Sequence, residues 1–527
     1  MDHKRGGMIM SIRSAIVYGF TGIALAAPLC AQSFPSDDPV IRRMWAEGME
    51  QGSQAYRLAQ VLTDSIGPRL SGSPGFLNAV EWALTMYQSW GIPARKEQYG
   101  TWRSWRRGRT HVDLITPRFR TLEGTMLAWS PGTRGAVEGD VILFPEVADS
   151  AAFNAWLPEA RGKFVLMSQA QPTCRPDDSW QTLARPQTVE RLRAARDSAR
   201  RAWTARVASA GANVQSRLDA GGVAGLLSSN WSAGWGVNKV FGTGLQRAPA
   251  LDVSCEDYGL LFRLAHNRQG PRIRLDADAE PLGEVPMFNV IAELKGSELP
   301  NEFIVLSAHL DSWDSSSGAT DNGTGTITML EAMRILKATY PNPRRTILVG
   351  HWGGEEQGLI GSGAFAEDHP EIVDGLQASF NQDNGTWRID YIRMQGFQGA
   401  GENFGKWFGK IPNEITDNIR LDVPGIPETG GSDHMSFICR GAPGFRLQSH
   451  YPEYRQYTWH TNRDTFDKIV FDDLRNNATL AAMLAYLASE DPERVPRTQR
   501  SLPPNAQGSP GAWPRCGVPR RSSGVPS

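Results

Sequence analysis

Cysteine is scarce in this chain: five occur among 527 residues, and none of Cys30, Cys174, Cys255, Cys439 and Cys516 forms a CxxC pair. That spacing excludes a disulfide scaffold, a zinc ribbon and a thioredoxin-like redox site. It does not say whether any two of them pair. An excess of either charge is also missing. Basic side chains number 55 against 56 acidic ones, a formal charge of −1, so no global field draws the chain to nucleic acid or anionic lipid. Long hydrophobic runs are absent beyond the first thirty residues, which excludes stable insertion through ~20-residue membrane spans. What is present is globular, with 40% hydrophobic residues and 17 Trp. At roughly 100–200 residues per domain, the length predicts two to four domains.

The first segment sets the compartment. Lys4, Arg5 and Arg13 precede an apolar run over 15–29, followed by Cys30-Ala31-Gln32. A basic start, a short apolar stretch and a small-residue exit predict a signal peptide over 1–31 and export to the periplasm or the extracellular space. Pro28-Leu29 fits a lipobox poorly, so Cys30 is not read as a lipid anchor.

Residues 38–90 carry apolar residues at helical spacing, interrupted by the turn chemistry of Gly67-Pro68-Arg69-Leu70-Ser71-Gly72 and ended by Gly91-Ile92-Pro93. Short strands are predicted near 112–116, at Val141-Ile142-Leu143-Phe144 and at Phe164-Val165-Leu166-Met167, and a helix end running into a strand over 220–227. This middle stretch reads as a separate small domain of strands with few helices. The Arg-rich segment 188–207 within it reads as a solvated helix face. After Pro286 two apolar strands, 303–308 and 346–351, flank a helix with Met329, Ala332, Met333 and Leu336 on one stripe. That βαβ pattern implies an α/β fold with a mainly parallel sheet. Residues 496–527 are rich in Pro, Arg, Ser and Gly and are predicted to be a disordered tail.

Only nine His occur, so their context is informative. His309-Leu310-Asp311 follows a strand end, where ligands gather in open α/β sheets. Asp311 is placed to orient the His309 imidazole. Gly318-Ala319-Thr320-Asp321-Asn322-Gly323 sits between that strand and the striped helix; a P-loop is ruled out because no Gly-Lys-Ser/Thr is present. Glu355 and Glu356 follow the next strand in a Gly-rich loop, where one can bind metal while the other faces the attacking water. Asp383 and His460 complete the set. His309, Asp321, Glu356, Asp383 and His460 are the candidate metal ligands, with Glu355 and Asp311 as catalytic candidates. Imidazole and carboxylate suit Zn²⁺, and two ions ~3.5–4 Å apart need a bridging carboxylate.

These motifs, with Gly431-Ser432-Asp433-His434, Phe437, His460-Thr461 and Asp464, resemble those of the M28 family of di-zinc peptidases, near its plasma glutamate carboxypeptidase-like branch. The twelve residues from His309 to Asp321 favour M28 over the related M20 peptidases. The resemblance implies a zinc-peptidase fold with two Zn²⁺ per chain, Asp321 bridging, His309 and Asp383 on one ion, and Glu356 and His460 on the other. It divides the chain into 32–118 and 286–495 as peptidase domain and 119–285 as an inserted, β-rich protease-associated domain. His434 is expected to line the pocket and His351 to pack in the core. The expected activity is exopeptidase cleavage of short peptides, with Glu355 as general base. A glutaminyl cyclase-like acyltransferase with one zinc and a non-catalytic receptor-like protein are the alternatives, and a homodimer is left open.

Overall fold

The computed structural model describes residues 36–50, 52–384, 386–451, 453–504 and 510–524. The signal peptide expected over 1–31 lies outside the described residues. Among the described residues, fourteen strands form two mixed sheets, joined through shared strands into one path and flanked by helices. At its centre Leu299–His309 and Arg345–Trp352 run parallel, with helix Thr324–Thr339 between them in the chain. Every residue of Arg345–Trp352 is buried, which is why this strand reads as a continuous apolar run and not as an alternation. Leu376–Gln382 and Gly444–Gln448 extend the parallel set. Tyr391–Arg393 and Arg420–Asp422 close that edge.

The helix Thr324–Thr339 packs against both the sheet and the buried helix Phe471–Glu490. Its predicted stripe is therefore only one of its buried faces. Glu331 and Arg334 are buried as well, and their bidentate pairing offsets the cost of taking two charges out of water. Helix Pro74–Ser89 begins where local chemistry dictates: Ser73 accepts the Phe76 N–H at 3.2 Å, and Pro74 occupies the first turn, where its missing N–H costs nothing.

The strand predicted near 112–116 is one end of a 23-residue strand, Ala94–Thr116. It pairs antiparallel along its length with Arg272–Leu294. Periodicity missed it because Arg95, Arg106 and Arg109 put exposed charge along a ribbon with little apolar alternation. The 290–294 end of this ribbon is bonded into the α/β sheet, and the 272–275 end into a second sheet. That second sheet has Val137–Leu143, Phe164–Leu166, Gly225–Ser228 and Ala250–Val253 in parallel over its own core of Phe144, Phe153, Val165 and Leu218. Shared strands, not linkers, thus join the two bodies. The middle body holds more helix than expected. Pro186–Ser209 alone has 24 residues; none is buried, in keeping with a solvated face. Cys174 and Cys255 form a disulfide here.

The tail is not disordered where it is described. Cys516 is bonded to Cys439, and Trp513 donates to the Ile438 carbonyl at 2.8 Å. Arg521 pairs with Asp368 and Glu367, while its carbonyl accepts the Thr101 N–H at 2.9 Å. Composition predicted disorder because few apolar residues are present; a covalent link and one aromatic anchor hold the segment instead. Deleting 498–527 is therefore expected to lower the melting temperature by several degrees, since a disulfide closing a long loop contributes ~2–4 kcal/mol. Differential scanning calorimetry of full-length and truncated protein checks this.

Candidate metal centre

Parallel strands deliver the site. His309 ends Leu299–His309, Asp383 follows Leu376–Gln382, and Glu355 and Glu356 lie three and four residues past Arg345–Trp352. Asp321 sits in the turn Ala319–Gly323 leading into Thr324–Thr339, and His460 in the loop after Tyr454–Thr458. Two clusters result: His309, Glu355 and Asp383, and Asp321, Glu356 and His460, each with ligand atoms within 4.8 Å of one another.

Asp321 faces both. Its Oδ1 lies 3.5 Å from His309 Nε2 and its Oδ2 3.2 Å from His460 Nε2. Asp383 Oδ1 is 3.4 Å from His309 Nε2, and Glu356 Oε2 is 3.0 Å from His460 Nε2. Asp321 Oδ2, Glu356 Oε1 and His460 Nδ1 are buried without a hydrogen-bond partner among the described residues. Unsatisfied buried polar atoms are rare and demand a reason. Arg446 lies 3.6 Å from Asp383, and Arg69 and Lys239 also feel the Asp321 charge; the four carboxylates still outnumber these cations. The donor set fits divalent cations that accept imidazole and carboxylate.

The acidity shows in the proton affinities. Burial pushes Glu355 well above the usual carboxylate range; His309 opposes the rise, while Asp383, Asp433 and Glu356 add to it. Burial likewise lifts Glu356 to about 7, against His460 and with Asp321. Burial works against a charged His460, but Glu356 and Asp321 more than offset it and bring the ring up to about 9. Asp321 moves the other way: burial would raise it, yet the two imidazoles hold it below the usual range.

Three buried groups fix the backbone around the ligands. The Asp311 carboxylate accepts the Glu355 N–H at 3.2 Å, the Glu356 N–H at 3.3 Å and the Ser71 hydroxyl at 3.2 Å. It is thus a positioning residue. The His309 Nδ1 lies 3.0 Å from the Asp311 main-chain carbonyl and 3.6 Å from its carboxylate, so Asp311 faces the imidazole as well as the Glu-Glu loop. Asp464 accepts the Thr320 and Asp321 N–H groups at 2.7 and 3.0 Å and so clamps the bridging turn. Arg69, fully buried, donates to the carbonyls of Leu310, Ser317, Gly318 and Gly67. It stitches the Asp311 segment to the Asp321 segment. Its role was not read from the sequence, although the Gly67-Pro68-Arg69 turn marked its place.

The loop carrying His460 leans on the middle body. The His460 carbonyl accepts the Val240 N–H at 2.9 Å. Asn238 and Asn462 bond reciprocally, each backbone N–H reaching the other residue at 2.9 and 3.0 Å. Phe241 stands edge-on to the His460 ring at 5.1 Å. His460 has a φ of +60°, in the left-handed region that a non-glycine residue adopts only when its surroundings over-determine it.

His434 is fully buried, bonded through Nε2 to Glu428 at 2.6 Å. His351 is in the core, at 2.7 Å from the Tyr87 hydroxyl, and burial depresses it to about 3.

Replacing Arg69 with Met is expected to destabilise the protein by ~3 kcal/mol or more, because buried carbonyls lose their donors. Chemical denaturation of the variant beside the parent checks this.

Residues 289–485 match the family model of peptidase family M28. Over 455 residues the chain is 27% identical to carboxypeptidase Q of Mus musculus, covering 85% of this chain and 88% of that one. With the Homo sapiens protein of that name it is 25% identical over 452 residues, 85% and 87% of the two chains. Among solved structures, a peptidase M28 precursor from Shewanella amazonensis SB2B superposes with a TM-score of 0.64 at 24% identity, over 88% of this chain and 98% of that one. BSAP, a zinc aminopeptidase from Bacillus subtilis, gives 0.54 at 19% identity, over 84% and 96%. All six converging side chains fall within the segment 289–485 that matches the model of peptidase family M28, and the chain is a metallopeptidase.

Proposed function

We propose that the protein is an exported, zinc-dependent exopeptidase that hydrolyses short peptides with free ends. The observation that carries this reading is Asp321, whose two carboxylate oxygens face two different imidazoles. In this reading two Zn²⁺ are held, one by His309, Asp383 and Asp321 and the other by Glu356, His460 and Asp321. Each set has the three protein ligands that leave room for substrate in catalytic zinc sites. Glu355 is then spare for proton transfer, although it lies in the His309 cluster. The carboxypeptidase Q and zinc aminopeptidase relatives support both the metal and the substrate class. When bound, zinc supplies Lewis-acid polarisation of the scissile carbonyl and makes water easier to deprotonate.

Glu355 takes the proton from the attacking water and returns it to the leaving amine. Asp311 holds the Glu355 and Glu356 amides in place, so base and ligand are each kept in their own cluster. The crevice beside Asp321, Glu356 and His460 has a volume of only about 10 Å³ and is walled by Trp313. Two disulfides suit an oxidising compartment outside the cytosol.

Glu355→Gln is expected to keep its zinc and lose ~10²–10⁴ in rate, because the amide cannot accept a proton. Zinc analysis beside a dipeptide assay tests the role, and near-normal turnover refutes it. Asp321→Ala is expected to lose activity together with metal; retention of two zincs per chain speaks against a bridge. Two zincs in the parent also separate this reading from a one-zinc acyltransferase. Asn238→Ala is expected to weaken one of the two metal-binding steps selectively, seen in a calorimetric titration of the metal-free protein with Zn²⁺. Peptides blocked at both ends are expected to stay intact; internal fragments in mass spectra of such digests would overturn exopeptidase action.

A further inference from the structure

Away from the metal centre, a pocket of about 700 Å³ opens where five segments of the chain meet. Trp45 and Met49 come from the N-terminal helices, Trp387 from the stretch after Asp383, Glu414 from the short helix Asn413–Thr416, Tyr451 from the loop after Gly444–Gln448, and Asn476 from helix Phe471–Glu490. None of the six side chains of the metal centre lines it. Its volume falls in the ~300–1,000 Å³ range of small-molecule sites.

Three properties of the lining bear on what it takes. The first is charge. Asp390, Glu414, Asp472 and Asp473 stand against one guanidinium, Arg388, and one imidazole, His450. His450 Nδ1 lies 2.9 Å from Asp390, whereas Arg388 comes only within 4.0 Å of Asp473. Glu414 is exposed and is in no ion pair among the described residues. The second is aromatic surface. Trp387 and Tyr451 meet edge-on at 6.4 Å, and Trp387 keeps 39% of its surface accessible. The third is independent of both. Asn476 is only 5% exposed, yet its Nδ2 donates to nothing among the described residues. A buried amide donor without an acceptor is rare, and in a pocket wall it points to an acceptor supplied by a ligand.

These properties select one chemistry. Acidic side chains beside indole and phenol rings favour an organic cation, which gains from both the charge and the ring faces. A bare metal ion fits poorly. Among the described residues, no three of these pocket groups bring ligand atoms within 4.8 Å of one another, as the two clusters of the metal centre do, whereas Ca²⁺ needs several oxygens on one point. We propose that this pocket binds the basic side chain of an arginine or lysine carried on a peptide, with the cation against Glu414, Asp473 and Trp387 and a peptide carbonyl accepting from Asn476. A guanidinium suits it better than an ammonium, being planar, weakly hydrated and able to stack on indole while it pairs with carboxylates. The site needs no turnover to be seen, so its test is separate from that of the peptidase reading.

The probe is Nα-acetyl-arginine amide, whose blocked ends leave the side chain as its sole charge. It is titrated into the full-length protein and followed by calorimetry and tryptophan fluorescence. Saturable binding of one probe per chain is expected, with Nα-acetyl-citrulline amide, its neutral isostere, binding ~tenfold or more weakly. Glu414→Gln and Trp387→Leu are each expected to weaken the arginine probe roughly threefold or more, with the melting temperature little changed. Neither change removes a buried hydrogen bond to the backbone, since it is the main-chain carbonyl of Trp387 that accepts from Ser449 and Asn477. Absence of binding at millimolar probe, equal affinity for the citrulline amide, or unchanged affinity in either variant overturns the assignment. D-leucine amide and Ca²⁺ complete the test. If either binds more tightly than the arginine probe and loses that binding in Glu414→Gln, the pocket belongs to a free α-amine or to a metal ion, and the proposal falls.

Discussion

Carboxylate repulsion is the constraint around which this molecule is organised. Asp321, Glu355, Glu356 and Asp383 meet in a buried space with two imidazoles, and protein groups alone leave the cluster acidic. Such a cluster persists only if cations offset it and if its backbone cannot relax away. The second condition is met by the surrounding structure. Asp311 spends its carboxylate on the Glu355 and Glu356 amides, Asp464 spends its own on the Thr320 and Asp321 amides, and Arg69 ties the two segments through four carbonyls. None of these groups is aimed at the ligand-side atoms; each removes a way for the loops to spread.

The middle body belongs to the same device. A long ribbon roots it in the α/β sheet, and its 236–241 stretch returns to hold the loop of His460. A non-glycine residue in the left-handed region costs on the order of 1–3 kcal/mol, and it is retained where neighbours leave no alternative. Val240, the Asn238–Asn462 exchange and the edge of Phe241 provide that enclosure. Half of the centre is therefore shaped by residues more than 200 positions earlier in the chain, among them Val240, which is part of the main core.

The C-terminal segment acts by a different physical route. With few apolar side chains, it is held by a disulfide, one Trp and the Arg521 ion pairs, and it runs from the helix Met435–Ile438 to the ribbon at Thr101.

Much of the site was legible from residue order. Strand-end His309, the Gly-bounded Asp321, the Glu355-Glu356 pair, Asp383 and His460 are local signals, because parallel strands with short connections deliver their carboxyl ends to one edge whatever the rest of the chain does. The α/β class followed in the same way from buried apolar runs flanking a helical stripe. What the sequence did not disclose depends on partners distant along the chain. The ribbon Ala94–Thr116 is stabilised by its pairing with Arg272–Leu294, so its own charged pattern carries no period to read. Composition likewise marked the tail as disordered, since a disulfide between Cys439 and Cys516 leaves no trace in either local segment. Arg69, Asn238, Asp464 and the two-way division of labour at Asp311 are choices of hydrogen-bond partner. Sequence alone thus determined which chemical groups would meet and at which edge of the sheet. Only the tertiary structure decided what holds them there, because buried donors and acceptors are satisfied by whichever backbone the fold brings within about 3 Å.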